Sequence, residues 1–204
     1  MAKDWTGNKH STYSTIGASN HSLTERESND FYATSSEAVE KLCSVEVFNG
    51  TIWENACGIG SISEILIKNG YKTFNTDILN RGYEKQNQTL DFLKEDLERG
   101  YNFNIVTNPP YKYAKEFVEK GCEYLSEGKK MALLLKLTFL EGQERQKMFK
   151  KYPPERIHVF SKRITCAMNA DWDKYKESGA VAYGWYVWTY NNLLKKNNPV
   201  IDWI

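Results

Sequence analysis

Thr51-Ile52-Trp53-Glu54-Asn55-Ala56-Cys57-Gly58-Ile59-Gly60-Ser61 is the stretch on which the fold turns. A short strand-like run ends at Glu54, two glycines follow, and Ser61 to Lys68 then keeps a helical pattern until Asn69-Gly70 stops it. Glycines at a strand-to-helix junction let the backbone turn sharply and approach a ligand with no side chain in between. The loop has low specificity by itself. A dinucleotide fingerprint asks for a third glycine where Ser63 stands, and no Gly-Lys-Ser/Thr marks a phosphate loop.

Working downstream, Lys72 to Asp77 reads as a strand, with a helix beginning near Asn80. A strand at Asn104 to Thr107, a helix around Lys112 to Leu125, an apolar strand at Lys130 to Leu137 and a helix around Glu141 to Lys151 follow. Strands alternating with helices predict an α/β fold, a largely parallel sheet covered on both faces. Arg156 to Phe160 and Ala180 to Tyr190 read instead as a late antiparallel pair joined by a long loop. Upstream, Ser35-Ser36-Glu37-Ala38 opens a helix with serine as N-cap and Val39, Leu42 and Cys43 at helical spacing. Residues 1–29, rich in Ser, Thr, Asn and Gly without a hydrophobic period, read as an irregular arm, which leaves 30–204 as one domain.

With 41% hydrophobic and 26% charged residues the chain has the make-up of a soluble globular protein. Its apolar runs are too short to cross a bilayer and Met1 to Trp5 lack a secretory core, so a cytoplasmic protein is expected. Cys43, Cys57, Cys122 and Cys166 are scattered and histidines do not cluster, so neither a disulfide framework nor a metal site is expected. A net charge of +1 argues against a globally basic nucleic-acid coat but leaves room for a locally basic cleft.

Ligands of doubly wound sheets sit at the carboxyl ends of the strands. Asp77, ending its strand, is placed there to accept from ribose hydroxyls, and Glu54, just before Gly58 and Gly60, to face the cationic amino-acid end of a sulfonium cofactor. The competing reading of Asp77 is a cap on the following helix. Asp91-Phe92 suits an adenine ring, the acid accepting from its amine and the aromatic packing on its face.

The most specific segment is Asn108-Pro109-Pro110-Tyr111, directly after the strand ending at Thr107. Four such residues arise by chance in about one chain in a thousand of this length. An amine conjugated to a purine ring is a poor nucleophile because its lone pair is delocalised. The Asn108 side-chain oxygen and the Pro109 main-chain carbonyl, accepting its two N–H bonds, favour a pyramidal nitrogen with the lone pair aimed at a methyl group. The prolines fix those directions, and Tyr111 offers a face on which an extruded base stacks.

In this order of features the chain resembles the DNA adenine-N6 methyltransferases, in particular the small phage-type enzymes without a separate recognition domain. The resemblance covers most of the chain. It implies a Rossmann-like class I methyltransferase fold, a mostly parallel seven-stranded sheet with a late antiparallel strand, and S-adenosylmethionine as cofactor with DNA as partner. By it, Phe31, Tyr32 and Thr34 line the cofactor or target pocket, Glu54, Gly58 and Gly60 hold the methionine part, Asp77 the ribose, and Asp91 with Phe92 the adenine. Asn108, Pro109, Pro110 and Tyr111 are the catalytic segment. Ser35 and Asn55 stand where the family often has proline, a change that only loosens a turn.

Sequence-specific enzymes of this kind usually carry a recognition domain, and no stretch here is long enough for one. The loop Ser161 to Gly179, with Lys162, Arg163 and Trp172, mixes cations and aromatics suited to phosphate contact and base stacking. Tyr183, Trp185, Tyr186 and Trp188 read as strand residues rather than as a base-binding platform. The same Asn108 segment also suits an RNA base or a protein glutamine amide, although the first fifty residues leave little room for the helical substrate domain of glutamine enzymes. From another class, a nucleic-acid-binding module that keeps the fold without the activity is the alternative. Oligomeric state stays open.

Overall fold

The computed structural model describes residues 32–95, 102–168, 170, 172 and 181–204. The chain opens with β1 (Tyr32–Thr34) and α1 (Ser36–Val45), then alternates through β2 (Ile52–Glu54), α2 (Ser61–Lys68), β3 (Thr73–Asp77), a two-residue β4 (Gln88–Thr89) and β5 (Asn104–Thr107). It continues with α3 (Ala114–Tyr124), β6 (Lys130–Lys136), α4 (Gln143–Lys151), β7 (Arg156–Val159), β8 (Cys166–Met168), β9 (Tyr183–Thr189), α5 (Tyr190–Lys195) and β10 (Val200–Trp203). Eight of these strands form one sheet in the order β10-β7-β9-β6-β5-β2-β3-β4, and β1 pairs with β8 in a separate two-stranded ribbon. Only β9 runs against its neighbours, pairing antiparallel with both β6 and β7.

The sheet is buried on both faces, and the side chains of β6 show why this sequence makes it. Met131, Leu133 and Leu135 point into one core with Phe117, Val118 and Cys122 of α3. Ala132 and Leu134 point into the other, with Val39 and Leu42 of α1 and Ile62 and Leu66 of α2. The unbroken apolar run Met131 to Leu135 is what burial on two faces demands, each large side chain being worth about 2 kcal/mol. On β9, Tyr186 and Trp188 join the first core and Trp185 and Val187 the second. The indole N–H groups of Trp185 and Trp188 donate to the carbonyls of Ala38 and Tyr152, so these aromatics are structural. α3 approaches the sheet through Gly121, where a Cβ would stand 2.3 Å from the Met131 sulfur.

Three features differ from the sequence expectation. No helix follows Asp77: the chain runs through Gly82, at φ +85°, to the edge strand β4. β10 adds a parallel edge beside β7, so the expected seven strands become eight. Val200, Ile201 and Trp203 are exposed on that edge, and Asp202 accepts from the Trp203 N–H and so occupies a donor that would otherwise pair with another strand. Ser35 is the N-cap of α1 as expected, but its side chain makes no capping bond. Among the described residues no helix is long and apolar enough to cross a membrane.

Candidate functional site

A cavity of about 360 Å³ opens at the carboxyl ends of β2, β3 and β5. Sequence-predicted residues from five separate segments meet in its lining: Tyr32 and Thr34, Glu54, Asp77, Asp91 with Phe92, and Asn108 with Pro110. Gly58, Gly60, Pro109 and Tyr111 belong to the same loops without lining it. Phe31 lies outside the described residues.

The glycine loop is tied to the neighbouring strand. Cys57 N–H donates to the Thr76 carbonyl (3.0 Å), and Gly58 N–H to Asp77 Oδ2 (2.8 Å). Gly60 precedes α2 at φ +84°, and a Cβ there would stand 2.3 Å from the Tyr83 ring, so both backbone and space require glycine. Asp77 caps no helix; its Oδ1 accepts from Leu79 N–H (3.0 Å) in a local turn.

Glu54 is 2% exposed and accepts from the Ser63 N–H (2.8 Å) and its hydroxyl. The same hydroxyl lies 2.6 Å from Asn75 Oδ1. One hydroxyl proton cannot serve two acceptors, so Ser63 Oγ donates either to Glu54 or to Asn75 Oδ1 at any one moment. Burial pushes the Glu54 carboxyl well above its usual range, and the Asp77 charge adds to that against the Ser63 bonds. Neither Glu54 nor Asp77 forms an ion pair among the described residues. Two buried acidic side chains thus line a cavity whose wall also carries Arg81 and Lys94.

Asp91 is less open to a ligand, because it accepts from Leu93 N–H (3.1 Å) and pairs with Lys94 (3.2 Å). Phe92 is 2% exposed and packs on Trp53 and Phe117, presenting one side to the cavity.

Asn108 carries the sharpest geometry. Its Nδ2 donates to the Tyr32 carbonyl and to Thr34 Oγ1, each at 3.1 Å, and its Oδ1 is buried with no hydrogen-bond partner. An amide oxygen buried without a partner is costly to a fold, and this one belongs to a residue that lines the cavity. Tyr111 turns away from the cavity, its ring 5.2 Å from Tyr32 and 6.0 Å from Tyr183, with Lys136 Nζ 4.6 Å above it. The aromatic at the cavity in this region is Tyr113, half-exposed, at the end of the short 3₁₀ turn Tyr111–Tyr113.

Tyr113, Arg81 and Asn55 are among the lining residues that sequence reasoning missed. Asn55 is 3% exposed with its Oδ1 unpartnered, and its place inside the glycine loop was the available signal. Lys162, Arg163 and Trp172 are exposed and lie outside the cavity lining, with Lys162 pairing to Glu37 of α1 (3.4 Å).

No protein-family model matches the chain. Part of it is 34% identical over 90 residues to the ribosomal RNA small subunit methyltransferase A of Mycoplasmopsis pulmonis, a match spanning 39% of this chain and 36% of that relative's length. Among solved structures, a Pyrococcus horikoshii protein assigned as an RNA methyltransferase superposes with a TM-score of 0.55 at 13% identity, over 86% of this chain and 96% of its own. A Listeria monocytogenes protein assigned as a class I S-adenosylmethionine-dependent methyltransferase gives 0.52 at 13% identity, over 85% and 64%. With the sheet order and the single reversed strand, these likenesses give the chain the Rossmann-like fold of class I methyltransferases.

Proposed function

We propose that the chain transfers a methyl group from S-adenosylmethionine to the exocyclic amine of a nucleic-acid base, adenine N6 in DNA being the reading its sequence favours. The observation that carries the proposal is the buried, unpartnered Oδ1 of Asn108, on a cavity that is also lined by the buried Glu54 and Asp77. The residues fit the cofactor: Glu54 suits its ammonium, Asp77 its ribose hydroxyls, and Phe92 with Pro110 the flat faces of its adenine. Bound there, the cofactor supplies an electrophilic methyl group on a sulfonium centre.

The chain's own task is then orientation. Asn108 Oδ1 accepts one N–H of the amine and the Pro109 carbonyl the other, which localises the lone pair and directs it along the line of transfer. The nitrogen becomes strongly acidic as the bond forms, and water is base enough to remove its proton. Tyr113, rather than Tyr111, is the ring beside this path, and the exposed Lys162, Arg163 and Trp172 serve as contacts for the polymer outside the cavity.

An RNA base is the second reading, favoured by the sequence match to a ribosomal RNA methyltransferase. A glutamine amide fits the same chemistry without an observation in its favour. A labelled-methyl assay offering DNA, RNA and protein side by side, followed by nuclease digestion, separates these. N6-methyladenine in DNA is the expected product. Label in RNA alone moves the substrate to RNA, and label in none leaves a binding module with the fold. In the same assay Lys162→Ala with Arg163→Ala should lower the salt slope of nucleic-acid binding by about 2.

A further inference from the structure

Asn108 directly follows β5 of the central sheet, yet its amide is held by β1, which belongs to the separate ribbon paired with β8. The two partners on β1 are unequal. The Tyr32 carbonyl only accepts, so the group facing it at 3.1 Å has to be the amide nitrogen. Thr34, 3% exposed, turns its hydroxyl oxygen to the other N–H. With both N–H bonds used, the amide has one orientation, and in it the oxygen is the unpartnered atom of a residue that lines the cavity.

We infer that the Tyr32 carbonyl and the Thr34 hydroxyl are positioning groups that select an amide over a carboxylate at position 108 and aim its oxygen at the substrate amine, an inference that rests on the function proposed above. Neither group touches the reacting atoms. The selection follows from lone pairs: a carboxylate in place of the amide would set an oxygen against the Tyr32 carbonyl, and that contact turns favourable only when the oxygen carries a proton to donate. The surroundings reinforce this. Glu54, Asp77 and Asp91 share the cavity with Arg81 and Lys94, so carboxylates outnumber cations, while Tyr111 packs on Tyr32 and in turn meets Tyr183 and Lys136. An acid at position 108 would therefore hold its proton to higher pH than a free one.

The test uses the full chain, S-adenosylmethionine, and an adenine-containing DNA duplex and a structured RNA as methyl acceptors. Thr34→Val should lower kcat about tenfold, the effect of one neutral hydrogen bond, with cofactor affinity measured by calorimetry unchanged, and Thr34→Ser should restore it. Asn108→Asp should have kcat rising as pH falls at saturating cofactor, a slope absent from the wild-type amide. Wild-type kcat in Thr34→Val, or a wild-type pH profile in Asn108→Asp, overturns the inference. If Thr34→Val does not fold, the Asn108→Asp profile decides alone. Asn108→Ala keeping its activity would strike the proposed function itself, which separates the two failures.

Discussion

Glu46 and Glu54 are equally buried, each 2% exposed, and their surroundings are opposite. Glu46 follows α1 and meets the amino ends of β6 and β7, where it accepts from Lys130 Nζ (2.6 Å), Arg156 Nη2 (3.1 Å) and His158 Nε2 (3.0 Å). Burial alone would raise its carboxyl, but the bonds from His158, Arg156 and Lys130 outweigh that and hold it at about 2. Glu54, at the carboxyl end of β2, receives only neutral donors from Ser63, and burial leaves it raised. The amino-end carboxylate is neutralised within the chain; the carboxyl-end one has no cationic partner among the described residues. An equal degree of burial thus says nothing of role until the partners are counted by charge.

The largest effect should come from breaking the complete cluster. Glu46→Gln leaves three donors around a neutral group and should cost about 3 kcal/mol in thermal or denaturant unfolding, with cofactor affinity unchanged. Because the folded pKa of Glu46 lies below its unfolded value, its contribution is present above the unfolded pKa and is lost as pH falls from about 4 through about 2. A Glu46→Gln variant that unfolds like the wild type would show that the cluster is electrostatically idle.

Glu54→Gln should behave in the opposite way. The amide removes a desolvated acid, so stability at neutral pH should hold or rise, while S-adenosylmethionine binds about 10- to 100-fold more weakly in calorimetry, the loss of one charge-assisted bond. The pH slopes are opposed too. With a folded pKa raised above the unfolded one, Glu54 contributes to stability below the unfolded pKa and loses that contribution as pH rises through the folded value. Cofactor affinity needs the ionised form, so it should weaken as pH falls through that same value, and Glu54→Gln should flatten the dependence. Loss of stability in Glu54→Gln comparable to that of Glu46→Gln would erase the contrast between the two ends of the sheet.

What was legible in the sequence follows the same division. Local period fixed β2, α2, β3, β5, β6 and α4 to within two residues, and the strand-end positions of Glu54, Asp77 and Asn108 followed from that alternation. Pairings between distant segments were not legible. Glu46, Lys130, Arg156 and His158 lie on three elements with no shared motif, and β1 meets β8 across most of the chain. Tyr111 and Tyr113 are both tyrosines of one turn, and only the packing of Tyr32 and Tyr183 decides which ring faces the cavity. β4 and β10 are edge strands whose few residues carry no alternation to read.

Ser63 sharpens the contrast at its finest grain, because it occupies the place where a dinucleotide loop would carry its third glycine. Here the position is fully buried and its hydroxyl links Glu54 to Asn75. Ser63→Ala keeps the Ser63 N–H on Glu54 and removes the hydroxyl, so the destabilisation should be about 1 kcal/mol, the smallest of the series. The informative change lies in pH. Donation from Ser63 is what opposes burial at Glu54, so its loss should raise the carboxyl further and move the fall in cofactor affinity to higher pH. Ser63→Gly should shift that curve in the same direction, since it also lacks the hydroxyl. An unmoved curve in both variants would mean that the main-chain N–H alone sets the charge of Glu54.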